Sequence, residues 1–126
     1  MSSWDPYIDK IMGINGVTCA GIYGIDGLKW GSTPDFPLTS RDIVLLVSGI
    51  SNFASLTNGI TVNSERFIPV RSDGEQFCCL KKNLNGIIAY KCNKCIIVVM
   101  HDDTVKLEHV CPHLGVIRDF LFNNGY

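Results

Sequence analysis

Between Ile60 and Met100 the chain alternates short β-rich runs with turn residues, and no other feature narrows the fold as much. The runs are Ile60 to Asn63, Arg66 to Arg71, Gln76 to Leu80, Gly86 to Lys91 and Cys95 to Met100, with breaks at Asp73-Gly74, Asn85-Gly86 and Asn93-Lys94. Breaks this short join antiparallel neighbours, because a parallel pair needs a crossover of a dozen residues or more. An antiparallel meander is expected. Pro69 cannot donate to a ladder, so its run lies at an edge, carries a bulge, or is shorter than drawn.

Upstream of the meander, Val17 to Tyr23 and Leu28 to Ser32 read as a hairpin about Asp26-Gly27. Two prolines mark 33–37 as a loop. Ser40 can then cap a helix running from Arg41 to about Ile50, with Ile43, Val44, Leu46 and Val47 on its apolar side and a further short helix around Phe53. Downstream, Pro112 fits a helix start, and Leu114, Ile117 and Leu121 follow at offsets 0, 3 and 7 up to about Phe122. With 126 residues and 46% hydrophobic content, the chain suits one core and one domain, 1–126. The class expected is α+β around one antiparallel sheet, with helices at both termini on the same face.

The first helix raises a question of its own. Trp4, Tyr7, Ile8, Ile11 and Met12 fall on one side of a helix, but tryptophan and tyrosine are amphipathic and serve equally as core or as a displayed surface. Pro6 suits the first helical position with Asp5 as cap, or the first turn of a helix that starts at Ser3; Gly13 closes it either way.

Composition removes several functions. Eleven basic and twelve acidic residues give a formal charge of −1, which argues against a nucleic-acid partner held by bulk electrostatics. The N-terminus lacks a basic, then apolar, leader pattern, and the longest strongly apolar run, Cys95 to Met100, is far too short to span a bilayer. A soluble, cytoplasmic, monomeric protein is expected, with its six cysteines as free thiols. Cys92-x-x-Cys95 has zinc-ligand spacing, but Cys78, Cys79, Cys111, His101, His109 and His113 supply no second pair at that spacing, so a hairpin at Asn93-Lys94 explains it better. Cys111 and His113 stand two apart, off a common helix face, and no orienting third group accompanies them. No metal, no cofactor and no catalytic residue is assigned.

Four stretches, in order along the chain, match one family. Ser3-Trp4-x-x-Tyr7-Ile8-Asp9 resembles the profilin N-terminus, and Gly24-Ile25-Asp26-Gly27 followed by Trp30 resembles that family's turn and second-strand tryptophan. Lys81-Lys82 is similar to its Gly-Lys-Lys-Gly stretch, and Asp119-Phe120-Leu121 with Gly125-Tyr126 is similar to its C-terminal end. The resemblance covers nearly the whole chain. It implies a central sheet of about six or seven antiparallel strands, with the terminal helices on one face and shorter helices on the other.

By the same resemblance the activity is binding of monomeric actin and of proline-rich ligands, regulating actin polymerisation in the cytoskeleton. A polyproline II helix offers outward carbonyls and flat rings, is stiff before it binds, and suits a groove of several aromatics with indole and phenol donors. The resemblance assigns that groove to Trp4, Tyr7, Trp30, Phe120, Leu121 and Tyr126, where Phe120 lacks the polar group that related proteins carry. Actin contacts are carried over to Phe53, Arg66, Arg71, Lys82, Lys91 and His113. Arg66, Arg71, Lys81, Lys82, Lys91, Lys94 and Lys106 form a mild basic enrichment on which phosphoinositide lipid binding, also shown by the family, would rest.

The chain departs from the family where the last helix begins, since Pro112 delays it and Gly115 stands where an acidic contact is expected. Glycine there weakens the helix by roughly 1 kcal/mol relative to alanine. The alternative to an actin-binding protein is a small α/β ligand-sensing or regulatory domain, with its pocket between helix and sheet.

Overall fold

A computed structural model describes residues 4–83, 85–104 and 107–126, without the side chains of 107–109. Ser3, the other candidate helix start, and Lys106 lie outside the described residues, as does the side chain of His109.

Seven strands form one sheet: β1 (Val17–Gly24), β2 (Lys29–Ser32), β3 (Ile60–Val62), β4 (Glu65–Ser72), β5 (Phe77–Lys82), β6 (Asn85–Lys91) and β7 (Cys95–His101). Their spatial order is β2-β1-β7-β6-β5-β4-β3, with every neighbouring pair antiparallel. The meander from β3 to β7 forms as expected, with one correction: Asn85-Gly86 is not a break, since both residues lie in β6 and pair with Lys82 and Lys81. Its last strand then pairs with β1 from Val17↔His101 to Gly24↔Cys95. That pairing brings the two ends of the chain together, because α1 (Asp5–Met12) runs into β1 and α3 (Leu107–Asn123) follows β7.

Each face of the sheet has its own apolar layer. On one, Ile8 and Ile11 of α1 and Val110, Leu114 and Leu121 of α3 pack with Ala20, Ile22, Ile88, Ile97 and Val99. On the other, α2 (Ser40–Ser51) sets Ile43, Leu46 and Ile50 against Leu80, Ile87, Ala89, Ile96 and Val98, and the 3-10 turn Phe53–Leu56 adds Leu56. The run from Cys95 to Val99 is buried on both faces, as expected where adjacent side chains alternate between two covered layers. The terminal helices therefore share one face, and the shorter helices occupy the other.

Local chemistry moves some boundaries. Thr39, not Ser40, caps α2: its hydroxyl accepts from Asp42 N at 3.2 Å while the Asp42 carboxylate accepts from Thr39 N at 2.9 Å, a reciprocal box that satisfies two donors. Trp4 occupies the N-cap of α1 with Pro6 in the first turn, so Asp5 is the first helical residue and not the cap. The bulge is the resolution at Pro69, since the register against β5 shifts between Pro69 and Arg71 and leaves Val70 as the extra residue.

The largest correction concerns α3. Pro112 does not start it; the helix already runs from Leu107 and carries Pro112 inside. The ring is on the solvent side, and buried Val110 and Leu114 on either side hold the helix through the missing hydrogen bond.

Candidate functional site

Where α1, β2 and the end of α3 meet, five aromatic rings converge. Trp4 stacks on Trp30 with centroids 5.0 Å apart and planes 29° from parallel, and the Tyr126 ring meets Trp4 edge-on at 4.9 Å and Trp30 at 6.0 Å. Tyr7 lies 5.5 Å from Trp4 and 6.1 Å from Phe120. Trp4, Tyr7 and Trp30 are half-buried, with one side packed on the core below, while Phe120 and Tyr126 are exposed. Both readings of the N-terminal stripe thus hold in part: Ile8 and Ile11 are core, and the rings are a surface supported by it.

The backbone holds this arrangement from behind. Tyr126 donates its N–H to Leu121 O at 3.0 Å and accepts from the backbone N–H of Lys94, so the β6–β7 turn fastens the residue that walls the groove. At Gly24 a β-carbon would stand 2.6 Å from the Asp26 carboxylate and 3.2 Å from the indole nitrogen of Trp30. Only a glycine lets that ring lie so close to β1. Asp26 in turn accepts from Leu28 N at 3.0 Å and shapes the turn into β2.

Leu121 is a correction. It is wholly buried between α3 and the sheet, so it supports the groove from beneath and presents nothing to a ligand.

The cationic positions do not converge in this way. Arg71 pairs with Cys79 and lies with its guanidinium carbon 5.4 Å from the Phe77 centroid, on the α1/α3 side of the sheet. Strand alternation puts Arg66 and Ile68 on that side too, opposite buried Phe67, and Ile68 pairs with Lys81. Here the sheet is left open: Ile68 and Val70 are 46% and 53% exposed. Arg66 donates from Nε to Asn58 O at 2.8 Å, which fixes its direction at the far edge.

Four of the sequence-derived actin positions lie elsewhere. Lys82 follows Leu80 onto the α2 side and pairs with Glu65 at 3.7 Å, and Lys91 follows Ala89 onto that side while its carbonyl accepts from Arg118 Nε at 2.9 Å. Phe53, half in solvent, sits in the turn after α2 on the same side. His113 is exposed but faces α1, where it lines a hollow with Lys10, Ile14 and Asn15. Lys81, two positions from buried Cys79, lies on the face of Arg71. The period of two along β5 puts the adjacent lysines on opposite faces.

Cys111 of α3 lies within electrostatic reach of Arg71. Burial pushes its thiol up in pKa, while the Tyr90 hydroxyl, which donates to Cys111 O at 3.3 Å, and Arg71 draw it down. Burial likewise raises Cys79 and Tyr90, so this patch holds neutral groups beside one guanidinium. Cys92 and Cys95 flank the Asn93-Lys94 turn, with Cys92 N donating to Cys95 O at 2.7 Å; both thiols are buried and unbridged. A hydrogen bond from the Cys95 thiol holds Cys92 below the usual thiol range. His101 is buried, its Nδ1 2.9 Å from Asp102 O, and desolvation lowers its pKa. No group of three or more potential metal ligands occurs among the described residues.

Sheet, covering helices and ring-lined groove together define a class: a small α+β recognition module whose site is built from its two ends. The profilin family model matches residues 2–126. Among curated relatives, a profilin of Drosophila melanogaster is 29% identical over 98% of this chain and 99% of its own, and profilin-A of Physarum polycephalum is 26% identical over the same shares. Among solved structures, Acanthamoeba castellanii profilin IA has a TM-score of 0.87 at 25% identity, covering 98% of this chain and all of that one. Mouse profilin IIa in complex with a double repeat from the FH1 domain of mDia1 has a TM-score of 0.80 at 19% identity, covering 99% and 100%. The chain belongs to the profilin family.

Proposed function

We propose that this protein is a non-enzymatic regulator of actin polymerisation that binds proline-rich segments in the groove of Trp4, Tyr7, Trp30, Phe120 and Tyr126 and monomeric actin on the open face of β4 and β5. The observation that carries the first half is the convergence of five rings, each within 6.1 Å of another, from both ends of the chain and β2. Stacked and edge-on indoles leave flat apolar faces for pyrrolidine rings, and partly exposed phenol and indole groups are donors for the ligand's carbonyls. The complex named for mouse profilin IIa, with a double repeat from the FH1 domain of mDia1, supports the proline-rich partner.

Actin binding has its support in family membership and in Arg66, Ile68, Arg71 and Lys81, which give the open face a cationic and apolar character. Such a surface steers an acidic partner and fixes its orientation. Two titrations test the proposal: decaproline followed by tryptophan fluorescence, and monomeric actin followed by a fluorescent label. Saturable binding is expected in both. A folded protein that ignores decaproline refutes the groove, and one that ignores actin leaves a proline-binding module alone.

A further inference from the structure

We propose that Cys92 and Cys95, at the two ends of the β6–β7 turn, are a modification site: hydrogen peroxide converts them to an intramolecular disulfide, and the closed form holds proline-rich ligands more weakly. The second half rests on the groove being the proline site proposed above. The register Lys91↔Ile96 carries on to set Cys92 opposite Cys95, and Cys92 N donates to Cys95 O at 2.7 Å. Directly opposed antiparallel residues have α-carbons about 4.5–5.5 Å apart, within the roughly 4.4–6.8 Å that a disulfide spans. Both side chains point into the α1/α3 layer, Cys92 two positions after Tyr90 and Cys95 two before Ile97.

The two sulfurs have unequal roles. Cys95 is wholly buried, and its thiol donates to the Cys92 sulfur. Cys92 keeps 4% exposure, and that hydrogen bond together with the Arg118 guanidinium outweighs burial and favours its thiolate. Hydrogen peroxide, scarcely larger than water, suits so narrow an access. The Cys92 thiolate attacks one peroxide oxygen and the O–O bond breaks; the departing hydroxide takes up the proton that Cys92 released, leaving a sulfenic acid and one water. Cys95 then attacks the sulfenic sulfur, the S–O bond breaks, and the hydroxyl leaves with the Cys95 proton as a second water. Two electrons pass from the thiols to the peroxide.

The turn is tied to the groove at three points. Lys94 N donates to Tyr126 O. On α3, Arg118 Nε donates to Lys91 O at 2.9 Å, and the Cys92 thiol donates to Arg118 O at 3.6 Å. Cys95 pairs with Gly24, whose missing β-carbon lets Trp30 lie close. Closing the bridge turns the Cys92 sulfur toward Cys95 and removes its S–H, so the contact with Arg118 O is lost and the turn that fastens Tyr126 is reshaped. A groove that binds by preorganisation then binds less well.

The test treats the reduced protein with a small excess of hydrogen peroxide, alkylates it and digests it with trypsin. Trypsin cuts after Lys91 and Lys94, so the bridge would join peptides 92–94 and 95–106. That linked pair is expected, and decaproline should bind the oxidised protein about threefold or more weakly. Dithiothreitol should reverse both changes, which separates them from methionine oxidation. Cys92→Ser, with circular dichroism confirming the fold, should make decaproline affinity indifferent to peroxide. If the linked pair does not form in the wild type, or the bridges join other cysteines, the modification site is refuted without recourse to any variant. If it forms and decaproline affinity is unchanged, its control of the groove is refuted. If the reduced protein already fails to bind decaproline, the groove falls with its control, and the peptide map alone decides the bridge.

Discussion

The ring groove and the open face of β4 and β5 are built on opposite principles. In the groove every ring touches another ring, and the backbone behind it is tied down at Tyr126 and shaped at Gly24. On the open face the cations are spread along strand edges and engaged singly, Arg66 with the Asn58 carbonyl and Arg71 over Phe77. A preorganised apolar surface confers affinity by shape; a dispersed cationic one confers rate and orientation. The difference teaches where substitutions will be costly: within the groove through lost stacking, and on the open face through the partner's charge.

Four experiments sharpen or break that contrast. The largest effect is expected from Leu121→Ala, which empties a fully buried site beneath the groove and should cost about 2–5 kcal/mol of stability in urea unfolding. At temperatures where the variant stays folded, it should still bind decaproline, because Leu121 supports the site without lining it. Trp4→Ala should follow, with a loss of roughly 2 kcal/mol or more in decaproline affinity by fluorescence or calorimetry. An unchanged affinity in a folded variant would remove the contrast altogether.

Arg71→Glu and Lys81→Glu should each slow actin association by roughly tenfold and leave decaproline alone, whereas Lys82→Glu, on the other side of the sheet beside Glu65, should do much less. Stopped-flow mixing with labelled actin measures all three. Equal effects at Lys81 and Lys82 would mean that the actin surface wraps the edge of the sheet. The smallest effect is salt: raising ionic strength from 50 to 200 mM should barely change decaproline affinity and should weaken actin binding. The reverse pattern would exchange the roles assigned to the two surfaces.

Much of this architecture was legible because it rests on local signals. Asp73-Gly74 and Asn93-Lys94 each mark a reversal between strands, whereas Asn85 and Gly86 lie within β6. The misplaced features depend on what lies across from a residue. Ser40 and Thr39 are both competent caps, and only the reciprocal bonds with Asp42 decide between them. Pro112 has a favourable local meaning as a helix start, which tertiary anchoring by Val110 and Leu114 overrides.

Within the groove, the residues that resembled a family pattern do meet, except that the 0-3-7 spacing of Leu114, Ile117 and Leu121 already marked the last of them for the interior. On the charged face the lysine pair divides, because adjacent residues of a strand point to opposite sides and family likeness does not say which side matters. The bulge at Pro69 and Arg71 changes that parity once more within β4, a shift no pattern of alternation reveals.

The fastening of Tyr126 to the turn after Cys92 also has a kinetic meaning. Trp4 and Tyr126 are nearly the whole chain apart in sequence yet pack edge to ring, so theirs is among the longest loops this molecule must close. Hairpins of the meander can zip from their turns, but the groove exists only after β1 has found β7 and both terminal helices have docked. Ligand capture is therefore a clock for the last stage of folding: in a refolding jump, capacity to bind decaproline should lag the recovery of sheet signal, and the delay measures how long the two ends take to meet.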